Sequence, residues 1–219
     1  MRLVTFSALF AALALSACAS APDRPTAGAQ AFSQAVAEAM PMGPSVAPPK
    51  GYVAMCRDRP QLCIEASVAS AVALSSDDQL ELLRRVNLRV NSRVRQMTDV
   101  RAFGVQGLWT RAGEGDFGAA GDCKAIAVEK RVELEAAGVP ARALFYAIAY
   151  RSDLGLHAVL VAHTTRGDMV LDSRSPRIVP WGEAPYTWVQ RQSQGEAFAW
   201  AMVVRSAAPP SPIVLARAD

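Results

Sequence analysis

Leu156-His157-Ala158-Val159-Leu160-Val161-Ala162-His163, then Thr164-Thr165-Arg166-Gly167, then Asp168-Met169-Val170-Leu171-Asp172 sets two apolar runs on either side of a short turn. Runs of this length, rich in β-branched residues and joined by a connection ending in Gly, predict a β-hairpin. With the turn at Thr164–Gly167, His163 faces Asp168, Val161 faces Val170 and Val159 faces Asp172. His157 and Asp172 then share one sheet face, a diagonal step apart. Diagonal neighbours lie about 7–8 Å apart, within reach of an imidazole and a carboxylate. His163, at the turn end of the ladder, reads as an exposed loop-edge histidine.

Working outward, Ala141–Arg151 is a further β-rich apolar run, giving an antiparallel meander. Upstream of it the periodicity changes. Ser75-Ser76-Asp77-Asp78 offers an N-cap and acidic first-turn residues, and Leu83, Val86, Val90, Val94 and Met97 follow at helical spacing. They predict one long helix to about Val100. Arg84, Arg85, Arg89, Arg93 and Arg95 occupy the remaining faces and are expected to be solvated. Phe103–Gly121 is glycine-rich and reads as a loop carrying Trp109. A second helix is expected from Asp122-Cys123 to Ala137, with Gly138 as its left-handed cap and Pro140 blocking continuation. Helices followed by an antiparallel sheet make an α+β domain.

The chain has 219 residues, 51% hydrophobic and 20% charged, enough to bury a real core. A net charge of +3 is too near balance for a dedicated nucleic-acid binder. Four cysteines and two histidines are too few for a disulfide scaffold or a His-rich metal site. The start, Met1-Arg2 followed by a small or apolar run from Leu3 to Ala17, has the form of a secretory signal, 1–17. Residues 18–50 are rich in Ala, Pro, Ser and Gly and are expected to form a tether. The folded domain is expected over 51–206, with a loose tail at 207–219. In an oxidising compartment, Cys56 and Cys63, seven apart around Pro60, are expected to pair; two unpaired thiols are the alternative.

Cys123 then remains as the odd thiol of the folded part. At the first turn of its helix, N–H groups without intrahelical acceptors and the helix dipole favour a thiolate. Position alone leaves a structural and a nucleophilic cysteine equally open. The His157/Asp172 hairpin supplies what a nucleophile needs: a histidine to move the proton and a carboxylate to fix its tautomer.

Leu15-Ser16-Ala17-Cys18 resembles the lipobox of bacterial lipoproteins. That resemblance implies cleavage before Cys18, acylation of Cys18 and, with Ala19 next, retention at the outer membrane on its periplasmic side. The ordered set Val86-Asn87, Val90-Asn91, Trp109, Gly121-Asp122-Cys123, Lys130, Gly138-Val139-Pro140, His157-Ala158-Val159-Leu160, Gly167, Leu171-Asp172 and Tyr186…Ser193…Gly195 resembles the bacterial transglutaminase-like cysteine peptidases over roughly Val53 to Gly195. The resemblance implies a papain-like, transglutaminase-core fold and a triad of Cys123, His157 and Asp172. It also implies a protein substrate, of which a large surface adhesin is the best-known example, and a membrane receptor for cyclic di-GMP as regulator. A monomer is expected, with no nucleic-acid partner. Trp109 is either an oxyanion donor or a wall of the cleft. Calcium-dependent members read Asp-Cys-Glu at the nucleophile and use both acids for the ion. Asp122 keeps the first position, but Lys124 replaces the second, so no cofactor is expected to be required and calcium, held at Asp122, stands as the doubtful alternative. Amide hydrolysis or acyl transfer by the same triad, and a catalytically silent membrane-tethered binding module, stand as alternative functions.

Overall fold

The structure is a computed structural model and describes residues 38–63, 73–113 and 118–204. Its sheet has seven strands in the order β1-β9-β8-β4-β5-β6-β7, every neighbouring pair antiparallel. The strands are β1 Ser45–Val46, β4 Leu144–Arg151, β5 Gly155–Thr164, β6 Gly167–Leu171, β7 Val179–Pro180, β8 Thr187–Gln192 and β9 Trp200–Met202. A separate parallel pair joins β2 Arg95–Gln96 to β3 Ala120–Gly121. The helices are α1 Lys50–Asp58, α2 Asp77–Arg93, α3 Asp99–Phe103 and α4 Cys123–Ala136.

The sheet is buried on both faces, which explains why its strands read as near-continuous apolar runs rather than strict alternation. Leu144, Tyr146, Ala158, Leu160, Ala162 and Leu171 face a core shared with the helices. Phe145, Ala147, Val159, Val161 and Val170 face a second layer containing Met40, Trp181 and Trp188. The hairpin has the expected register, with Val161 opposite Val170 and His163 opposite Asp168. The ladder ends at Leu160 opposite Leu171, so Asp172 is the first residue beyond it and His157 lies on the part of β5 that runs past β6.

Ser76 caps α2 in a reciprocal capping box with Gln79. The helix is shorter than the apolar spacing predicts. It stops at Arg93, and the Arg95 and Met97 N–H groups donate to Ala119 O and Gly121 O, both at 2.9 Å. The Val94 N–H still donates to Val90 O at 2.9 Å as the helix's cap, but from Arg95 onward pairing with residues 119–121 takes the place of intrahelical bonds. Nor is the arginine face simply solvated. Arg89 holds Glu133 at 2.6 Å, and Arg93 holds Glu129 at 2.9 Å and also contacts Glu133, which fastens α2 to α4.

Residues 38–49 were expected to belong to the tether, yet they are seated on the domain. β1 pairs with β9, Met40 is buried, and its N–H donates to Asp168 Oδ2 at 2.7 Å. Asp168 is fully buried and also binds His163 Nδ1 at 2.6 Å. His163 is therefore a partner in this clamp, not a free loop-edge residue. Cys56 and Cys63 form a disulfide, with Cα atoms 5.4 Å apart, closing the end of α1 onto a 3-10 turn at Pro60–Leu62. Cys18 and the segment 1–17 lie outside the described residues, as does the tail from 205 onward. Among the described residues no helix is long and apolar enough to cross a membrane.

Candidate active site

α4 begins at Cys123 because Asp122 caps it: Asp122 Oδ1 accepts the N–H groups of Lys124 at 2.9 Å and Ala125 at 3.3 Å. Gly121 is required just before the cap, since a Cβ there would lie 2.5 Å from Ala125 Cβ. The β2–β3 pair fixes this approach, so the cysteine leaves a braced turn. Cys123 is the free cysteine among the described residues, partly exposed, and the Ala158 N–H of β5 points at its sulfur from 3.4 Å.

The next residue back along β5, His157, is 5% exposed and its Nε2 lies 2.7 Å from Asp172 Oδ1. With Nε2 so engaged, Nδ1 is the ring nitrogen left for the sulfur. Burial alone would lower the His157 pKa. The Asp172 hydrogen bond and the interaction with Cys123 outweigh it and raise the value to about 9. Burial would likewise raise Asp172, but bonds from His157, from Tyr186 Oη at 2.5 Å and from the Arg174 N–H at 2.9 Å hold it at about 2. The pair is thus an imidazolium facing a carboxylate through neutral pH. Cys123, His157 and Asp172, chosen from sequence, are brought together.

Sequence reasoning assigned no role to the residues that hold Asp172 in place. Asn91 Nδ2 donates to the backbone carbonyls of Asp172 at 2.9 Å and Ser175 at 3.0 Å. Asn87 Nδ2 donates to Ser175 O at 3.0 Å, and Gln96 Nε2 to Ser173 O at 2.8 Å. Lys130, fully buried, donates to Asn87 Oδ1 at 2.7 Å and Leu171 O at 3.2 Å. Burial brings its ammonium down to about 7, with Asp172 offsetting part of the drop. Asn87 and Asn91 stand four apart on α2 and so share one face of it. Polar residues at such spacing inside an apolar stripe were the available signal. Tyr186 also lies against the His157 ring, with centroids 5.5 Å apart.

Two cavities meet at Cys123 and His157. One, of about 370 Å³, is lined by Gln96, Met97, Thr98, Leu154 and Arg174 as well. The other, of about 410 Å³, is bounded by Lys50, Gly107, Trp109, Ile148 and Gln190. Leu156 borders both and is 69% exposed. Trp109 is buried edge-on against Tyr52 and Tyr146, at centroid distances of 5.4 and 5.2 Å, so it packs the wall of the second cavity. Two adjoining cavities that share a cysteine and its histidine suit attack on a carbonyl bound between them.

As arranged, Asp122 and its neighbours do not fit a calcium ion. The Lys124 ammonium contacts Asp122 Oδ2 and lies 2.8 Å from Asp99 Oδ2. Asp99 Oδ1 is buried without a hydrogen-bond partner among the described residues, while Asp122 Oδ1, Asp122 Oδ2 and Asp99 Oδ2 are already engaged by N–H groups and the ammonium. Among the described residues no group of three or more His, Cys, Asp or Glu is placed to hold a metal.

Solved structures similar to this chain include LapG from Legionella pneumophila. Its calcium-bound form is 25% identical, with a TM-score of 0.49 over 60% of this chain and 74% of that one. The EGTA-treated form is 26% identical, with a TM-score of 0.44 over 52% and 62%. No curated protein matches the chain. A family model, that of the bacterial transglutaminase-like cysteine proteinases, matches residues 42–208. With that match spanning most of its length, the chain belongs to the bacterial transglutaminase-like cysteine proteinases.

Proposed function

We propose that this peptidase is exported and hydrolyses a peptide bond of a cell-envelope or surface protein, with Cys123 as nucleophile, His157 as proton carrier and Asp172 as its orienting partner. The observation that carries the reading is the buried His157–Asp172 pair at 2.7 Å, reached by the sulfur at the start of α4. The Cys123 sulfur attacks the scissile carbonyl carbon, and its electron pair forms the C–S bond. The developing oxyanion meets the Cys123 N–H at the helix start. His157 gives its proton to the leaving amine as the C–N bond breaks, leaving a thioester. Water, deprotonated by His157, then attacks the thioester carbon. The C–S bond breaks with its electron pair returning to sulfur. The new carboxyl group leaves and gives its proton to solvent, and His157 keeps the proton taken from water.

The apolar run 3–17 and Leu15-Ser16-Ala17-Cys18 support export and acylation at Cys18, which would hold the enzyme on the periplasmic face of the outer membrane. The family resemblance makes a surface adhesin the favoured substrate class and a membrane receptor its regulator. The test is incubation of the protein, and of Cys123→Ala, with surface fractions of its host in the presence of an amine acceptor. New protein N-termini produced only by the unsubstituted protein are expected. Amine adducts without new termini would assign acyl transfer instead, and a Cys123 inert to peptidyl electrophiles would make the chain a binding module.

A further inference from the structure

We propose that the Lys124 ammonium is the fixed cation that holds the nucleophile turn, so that Cys123 is positioned without a divalent metal ion. Lys124 is a positioning residue in this scheme, which rests on Cys123 being the nucleophile. Its side chain is 17% exposed and points back over the helix start, where Nζ lies between Asp122 Oδ2 and Asp99 Oδ2, 2.8 Å from the latter. Each carboxylate does a second task. Asp122 caps α4 through Oδ1, and Asp99 Oδ2 also accepts the Leu108 N–H at 3.0 Å.

The ammonium therefore joins two structures. On one side is the loop that delivers Leu108 and the adjacent Trp109 to the cavity wall. On the other is the residue that precedes the nucleophile. Without a cation between them, a carboxylate 5% exposed and another 19% exposed would face each other. Like charges so placed repel strongly and lose water as well. Lys124 is only one residue from Cys123, so its stem enters this space by construction. A dication entering beside a resident ammonium would meet like charge and carboxylates already engaged by that ammonium. The charge that an ion would supply is thus covalently built in.

The experiment measures Cys123 alkylation by iodoacetamide, and thermal unfolding, for the unsubstituted protein, Lys124→Gln and Lys124→Arg, each in excess EGTA and in excess calcium. The unsubstituted protein is expected to alkylate at the same rate in both. Lys124→Gln should lose about tenfold in rate in either medium, and Lys124→Arg should recover most of it, a rescue that mere space-filling would not give. Loss of the unsubstituted protein's reactivity in EGTA, restored by calcium, overturns the proposal. So does a Lys124→Gln thiol that reacts at the unsubstituted rate. Should Lys124→Gln fail to fold, the chelator comparison and Lys124→Arg decide the matter. An unsubstituted thiol no faster than a free cysteine would instead refute the nucleophile assignment itself.

Discussion

Replacing Asp172 by Asn keeps the shape of the side chain and removes its charge. His157 holds its proton to about pH 9, against 6.5 for an ordinary histidine. That preference is worth about 3 kcal/mol, at roughly 1.4 kcal/mol per tenfold. It survives although burial opposes it, because the Asp172 bond and the Cys123 interaction together exceed the desolvation cost. With the carboxylate gone, burial of a 5%-exposed ring is opposed by the sulfur alone. The His157 titration should then fall to about 6.5 or below, and at pH 7.5 most of the imidazolium would be lost. The loss in kcat/KM at that pH is expected to be on the order of 100-fold to 10,000-fold, since the tautomer is also released. Histidine NMR titration of the folded protein reads the midpoint directly, and the alkaline limb of kcat/KM should move with it. The sign of the stability effect is also set. A raised histidine stabilises fully below 6.5 and loses that contribution as pH rises through about 9, so Asp172→Asn should flatten the decline between those values. A midpoint still near 9 in Asp172→Asn would refute the account, because the charge credited with sustaining the imidazolium would have no part in it.

Tyr186→Phe removes the donor at 2.5 Å from Asp172 Oδ2. A hydrogen bond to a charged group is worth about 1.5–3 kcal/mol, so the Asp172 pKa should rise from about 2 and kcat should fall roughly tenfold or more with KM little changed. Asn91→Ala strips the Asp172 and Ser175 carbonyls of a shared donor and should cost about 1–3 kcal/mol in urea unfolding, with a larger proportional loss in kcat than in KM. Lys130→Met should change how stability depends on pH. The lysine titrates near 7 when folded and 10.5 when unfolded, so the unfolded chain binds the extra proton between those values and stability should climb with pH there. The methionine variant should lack that climb. Reducing the Cys56–Cys63 bond, which closes a short loop of separation 7, should lower unfolding free energy by about 2–3 kcal/mol without abolishing Cys123 reactivity.

Local patterns made much of the site legible. The turn chemistry at Thr164–Gly167 fixed the hairpin register, and register alone placed His157 and Asp172 on one face because side chains alternate with a period of two. The Asp122 cap and the Gly138 stop framed α4 and put Cys123 at its first turn. Each of these depends on residues a few positions apart, whose geometry is set by backbone sterics and short-range hydrogen bonds.

Only the tertiary structure decided the rest, because it depends on partners far apart in the chain. The helical spacing through Val94 and Met97 could not reveal that residues 95–97 would find backbone acceptors at 119–121 and leave the helix. Residues 38–49, proline-rich, read as part of a tether until Asp168, more than a hundred positions away, supplied an acceptor for Met40. His163 looked like a free loop-edge residue for the same reason: its partner Asp168 is adjacent on the ladder, but Asp168 is a fully buried carboxylate that also holds the N-terminal segment through the Met40 N–H. The charge at position 124 was visible as a substitution, but Asp99, which turns it into a bridge, was not. Sequence by itself thus determined which groups could do the chemistry and on which elements they ride. Tertiary packing, by removing water from Asp99, Asp172 and Lys130 and giving each a distant partner, decided how those groups are held.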